Sequence, residues 1–142
     1  MIRPNKHHVL RLSALAVATA RTPRERLVAL LADSAVYFSR VDTLADRALA
    51  EKNAAEIGAA MKGNDLVLRV IGYTDATGGE KRNLVIGQMR ANVAADLLVA
   101  QGVDRSRLRV VTRPGFNSGG PETDPRDRRV TFELAPADEP RL

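Results

Sequence analysis

The chain contains no cysteine and no tryptophan, and only two histidines, two tyrosines and three phenylalanines. Without cysteine there is no disulfide framework, no thiol nucleophile, no thiolate-bound zinc and no thiol to carry a lipid anchor. With so few aromatics, the core has to be built from Ala, Val, Leu and Ile, which favours helix-and-sheet layers over a sandwich of two sheets. The two histidines, His7 and His8, are adjacent, which argues against a histidine-centred triad in the domain. Glu25, Glu51, Glu56 and Glu80 lack the paired placement of a glycosidase, and no side chains cluster as metal ligands. No apolar run approaches the roughly 20 residues that span a bilayer. The expectation is a protein with no catalytic residues, no metal and no cofactor.

What is present is ordinary in amount and basic in sign. A length of 142 residues suits one domain with a real core. The net charge is +5, which suits a polyanionic partner such as nucleic acid, anionic lipid or an acidic wall polymer, or else a solvated arginine-rich surface. Leu12 to Ala20 (LSALAVATA), preceded by Arg3, Lys6 and Arg11, has the outline of a short signal peptide with an Ala-Thr-Ala end. The rival reading is an extended arm or strand from a longer parent protein.

The chain then alternates helix and strand signals. Thr22, Pro23 and Glu25 open a helix to about Asp33, with Leu27, Leu30 and Leu31 on its apolar side. Ala35 to Phe38 reads as a short buried strand. Asp42 or Thr43 opens a long helix to about Lys62, with Leu49, Ala50, Ile57, Ala60 and Met61 on its inner side, and Gly63 stops it. Asp65 to Tyr73 is a strand, and a loop follows to Lys81. Asn83 to Ala100 is a helix with a core stripe through Ile86, Met89, Val93 and Leu97, ended by Gly102. Leu108 to Thr112 and Arg129 to Leu134 are strands on either side of a Gly- and Pro-rich loop. The sum is α+β: an α/β sandwich with helices on one side of a mixed sheet. The organisation expected is an N-terminal arm and helix over residues 1–34, a folded domain over 35–134, and a polar tail over 135–142 with little to hold it.

The chemistry concentrates between Gly72 and Arg90. Gly72-Tyr73-Thr74-Asp75 closes a strand, and Asn83, Gly87 and Arg90 share one face of the following helix. That face is read as adjacent to the core stripe but distinct from it, with Gly87 leaving open room beside the helix. The run G-Y-T-D-x-x-G, then Asn83, then Arg90-Ala91, then Asp127-Arg128-Arg129-Val130 before the last strand, resembles the C-terminal domain of the outer membrane protein A family, over about Val36 to Leu134. The family has Leu-Ser where Ile86-Gly87 stands here.

That resemblance implies a four-stranded mixed sheet with two main helices on one face, here with an extra N-terminal helix. It implies a non-catalytic module that anchors an envelope protein to peptidoglycan, in the periplasm and associated with the outer membrane or the wall. The implied ligand is the diaminopimelate of the stem peptide, gripped by Asp75 and Arg90, with Asn83, Thr77 and Arg128 completing the expected set. The pairing is chemically sound, since a carboxylate suits an ammonium and a planar guanidinium suits a carboxylate on the same carbon. Of Arg128 and Arg129, one is expected near the ligand and the other on the surface, because adjacent strand residues point to opposite faces. On this reading Arg90 is a ligand residue whose loss leaves the fold intact. Nucleic acid is not an expected partner, and a membrane enters only through a parent protein or partner. Two alternatives stay open. One is a module of this fold with weakened wall binding that serves a protein complex. The other is a basic nucleic-acid-binding domain, which the lack of an aromatic stacking platform disfavours.

Overall fold

The computed structural model describes residues 22–74, 79–113 and 125–139. The signal-peptide segment, Asp75, Thr77 and most of the Gly- and Pro-rich loop lie outside them. The first helix, α1 (Pro23–Leu31), starts as its sequence predicts: the Thr22 hydroxyl accepts the Glu25 amide at 3.0 Å, and Pro23 takes the first position. A short strand β1 (Val36–Tyr37) follows, then α2 (Arg47–Met61), β2 (Leu68–Tyr73), α3 (Glu80–Ala100), β3 (Leu108–Arg113) and β4 (Arg129–Leu134). The strands form one mixed sheet in the order β1-β4-β2-β3. β4 is antiparallel to both neighbours, whereas β2 and β3 run parallel, joined through α3. One apolar core joins Leu68, Val70, Leu108, Val130 and Phe132 of the sheet to the helices. Gly63 and Gly102, at φ 80° and 93°, follow α2 and α3 with the left-handed backbone that ends a helix.

The inner face of α3 departs from the sequence reading, whereas that of α2 matches it apart from Leu49. The inner stripe of α2 is Ala50, Asn53, Ala54, Ile57, Gly58 and Met61, and Leu49 is exposed. In α3 the inner stripe is Asn83, Ile86, Gly87, Arg90, Ala91, Ala94, Ala95 and Leu98. Met89, expected in the core, is 37% exposed, and Val93 and Leu97 are half-buried. The supposed ligand face of α3 is therefore its packing face. The cause is a backbone contact. A Cβ placed on Gly72 would sit 1.8 Å from the Gly87 carbonyl oxygen, and one on Gly87 would sit 2.6 Å from Thr112 Cγ2. The room that Gly87 leaves is filled by β2 rather than kept open, and only a row of small residues lets helix and strand come so close.

α2 also begins later than expected. Asp46 caps it by accepting the Leu49 amide at 3.0 Å. Residues 39–45 form a turn instead, held by Ser39 N–H to the Thr43 carbonyl (3.0 Å), Ala45 N–H to the Tyr37 carbonyl (2.9 Å) and a Phe38–Leu44 bridge.

The segments flanking the sheet are fastened to it. Leu27 of α1 is fully buried in the common core. Arg24 donates to the Ala135 carbonyl at 2.7 Å, and Ala135 N–H to the Val67 carbonyl at 2.9 Å. Glu139 reaches Arg69 at 3.4 Å and Arg109 at 3.9 Å. The start of the polar tail is thus bound down, as far as residue 139.

Two substitutions test this packing. Gly72→Ala forces helix and strand apart and is expected to cost about 3 kcal/mol or more, at the upper end of overpacking effects. Leu27→Ala opens a cavity beneath α1 and is expected to cost roughly 2–5 kcal/mol. Urea unfolding of the purified chain reads both, and a neutral Gly72→Ala would refute the close contact.

Candidate functional site

The C-terminal end of β2, the turn at residues 39–41, the first turns of α3 and the approach to β4 surround a cleft of about 270 Å³. Three of the expected site residues, Asn83, Arg90 and Arg128, line it together. Asn83 is buried at the start of the inner stripe of α3. Arg128 donates through Nε to the Phe38 carbonyl at 3.3 Å. Its neighbour Arg129 lies over the Tyr73 ring, 5.4 Å from the centroid. The two adjacent arginines therefore separate as the strand alternation predicts, and Arg128 is the one at the cleft. Asp75 and Thr77, the remaining expected residues, lie outside the described residues.

Arg90 is more than a surface group. It is buried, and its guanidinium binds three backbone carbonyls: Val41 through Nε at 2.6 Å, Tyr73 through Nη1 at 3.0 Å and Arg40 through Nη2 at 3.3 Å. Its Cζ also lies 5.9 Å from the centre of the Phe38 ring. One fixed cation thus ties the 39–41 turn and the end of β2 to α3, using the planar fork that lysine lacks. The expectation that Arg90 can be removed without structural cost is corrected here: the carbonyls it serves would lose their partner in a buried setting.

Sequence reasoning did not assign Thr74, Arg82 or Arg40 to the site, and the structure places all of them at the cleft. Thr74 is 2% exposed, and its hydroxyl has no hydrogen-bond partner among the described residues. It stands inside the motif already singled out, so the signal was present. Arg82 and Arg40 line the cleft from exposed backbone positions. Arg82 directly precedes Asn83 and was legible. Arg40 was not, because its position depends on the turn that replaces the first residues of the expected helix. With Arg90 and Arg128, four arginines face the cleft, and no described carboxylate lines it. A void with this wall attracts anionic groups.

The far side of the sheet is knitted by other charges. Arg113 donates to both Glu133 oxygens at 3.0 and 3.2 Å and to the Tyr73 hydroxyl at 3.1 Å. Glu133 first, then Tyr73, raise its pKa above the ordinary arginine value.

The molecule is an α/β sandwich with a polar cleft at one end of its sheet. The chain belongs to the OmpA family, whose model matches residues 40–129. It is similar to the probable lipoprotein YiaD of Escherichia coli K12, at 40% identity over 49% of this chain and 33% of that protein. It is also similar to the peptidoglycan-binding protein ArfA of Mycobacterium tuberculosis, at 36% identity over 46% of this chain and 22% of that protein. The chain therefore aligns with a third or less of the length of either relative. Its fold matches the crystal structure of the peptidoglycan-associated lipoprotein from Burkholderia pseudomallei with a TM-score of 0.58, at 22% identity, covering 80% of this chain and 100% of that one. Shared membership accounts for the mixed sheet; the ligand has to be argued from this chain's own side chains.

Arg90→Ala is expected to destabilise the fold by about 3 kcal/mol, because several charge-assisted bonds to carbonyls are lost together. Arg90→Lys should recover only part of that, since an ammonium cannot span three carbonyls. Thermal unfolding of the two variants beside the parent checks the order.

Proposed function

We propose that this chain is a non-catalytic peptidoglycan-binding module that anchors an envelope protein to the cell wall in the periplasm. Its ligand is the diaminopimelate of the stem peptide. The binding unit is residues 35–134, with α1 packed on it, and residues 135–142 form a polar tail. The observation that carries the reading is the meeting of Asn83, Arg90 and Arg128 in one cleft at the end of β2. Asp75, directly after the cleft residue Thr74 in the chain, supplies the carboxylate of the clamp.

The free end of wall diaminopimelate bears an ammonium and a carboxylate on one carbon. Asp75 takes the ammonium. The carboxylate meets Arg90 and Arg128, with Asn83 and Thr77 as further polar contacts. Selectivity comes from needing both charges at a fixed separation. Recognition is by charge and shape, and no bond is broken. The family relationship supports this reading, as does the name of the ArfA relative, which describes that protein as peptidoglycan-binding.

Two observations weigh against the alternatives. Gly87, which departs from the family's usual serine, is accounted for by its contact with Gly72, so it need not signal a lost site. Tyr73, the aromatic nearest the strand end, is 7% exposed and covered by Arg129, so it offers no surface for stacking a base.

The test is a titration with a diaminopimelate-containing stem peptide beside its lysine-containing equivalent. The diaminopimelate form should bind at least about tenfold more tightly, the minimum for losing one charged contact. Asp75→Ala should remove that preference and the pull-down on purified sacculi while the unfolding midpoint stays near the parent's. Equal binding of the two peptides would sink the clamp.

A further inference from the structure

The cleft holds more positive charge than one zwitterion needs. A single carboxylate is satisfied by Arg90 and Arg128 in the reading above, yet Arg40 and Arg82 face the same void. Neither of these two guanidiniums has a hydrogen bond or ion pair among the described residues, whereas Arg47, Arg69, Arg105 and Arg113 all find carboxylates. Like charges gathered where no described carboxylate lines the wall repel one another, and a bound anion relieves that repulsion. The Arg40 backbone is also held in place, since its carbonyl accepts from Arg90 at 3.3 Å. Its side chain is therefore presented from a fixed turn and not from a loose loop. The buried hydroxyl of Thr74, unpartnered among the described residues, lies in the same cleft and gives a bound group one further polar contact.

We infer that Arg40 and Arg82 form a second anionic subsite that reads another free carboxylate of the same stem peptide, outside the diaminopimelate zwitterion. The module thereby discriminates free-acid stems from amidated ones. This rests on the wall-binding reading above. The second carboxylate has two sources of the same chemistry: the α-carboxylate of the glutamyl residue beside diaminopimelate, and the carboxylate at the peptide's C-terminus. Amidation removes the charge from either one while leaving the zwitterionic centre whole.

The experiment uses the full chain and three synthetic tripeptides ending in diaminopimelate: the free acid, the glutamyl α-amide and the C-terminal amide. Calorimetric titration of the parent should show one amide binding about tenfold more weakly than the free acid, the effect of one charged contact. The double variant Arg40→Gln/Arg82→Gln should bind the free acid as weakly as that amide, leaving affinity for the amide itself unchanged. Both positions are exposed, so the variant should fold, and an unaltered unfolding midpoint confirms it. Equal binding of all three peptides to the parent, or an amide penalty that survives in the double variant, overturns the second subsite while leaving the wall-binding reading standing. Failure of the parent to bind any of the three overturns both.

Discussion

Helix α3 and strand β2 touch backbone to backbone at Gly87 and Gly72, and the remaining geometry follows from that contact. Because no Cβ separates them, the helix settles on its smallest side chains, and Ala91, Ala94 and Ala95 fall into the core. The first turns of α3 are thereby brought over the end of β2, which is where Asn83 and Arg90 meet the Tyr73–Thr74 segment. A helix set back by the thickness of a methyl group would carry the Arg90 guanidinium away from the carbonyls it binds.

Arg90 is a structural joint that also lines the cleft. Its bonds to the carbonyls of residues 40, 41 and 73 fix the 39–41 turn relative to the end of β2. Holding the guanidinium rigid costs little more at the moment of binding, since its rotamer freedom is already spent in folding. The same bonds mean that a binding defect in an Arg90 variant cannot be read without measuring stability beside it.

Much of the architecture was legible in the residues. The Thr22-Pro23-Glu25 start, the glycine stops at 63 and 102 and the alternation of β4 rest on local rules, and each appears where those rules put it. The face of α3 was not legible. Periodicity weighs large apolar residues and so chose Ile86, Met89 and Val93, whereas the contact is set by two glycines fifteen positions apart in the sequence. The start of α2 failed for a related reason: the turn at 39–45 answers to Arg90, about fifty residues away, which no local propensity registers. At the cleft, Asn83, Arg90 and Arg128 were recognisable from the family motif, and Arg82 from its place beside Asn83. Arg40 was not, because its position depends on a turn that forms only in the folded chain.

The fastening of α1 and of residues 135–139 has a mechanical consequence. Arg24 and Ala135 meet at the start of β2, beside Val67, whereas the cleft opens at its other end. A ligand held in the cleft and a pull applied through α1 or through the chain after β4 therefore act at opposite ends of the same strands. The force runs along β2 and β4, so their ladder is loaded in shear and its hydrogen bonds share the load instead of parting one at a time. A tether built in this way resists steady tension better than one whose grip and handle lie on the same edge of the sheet.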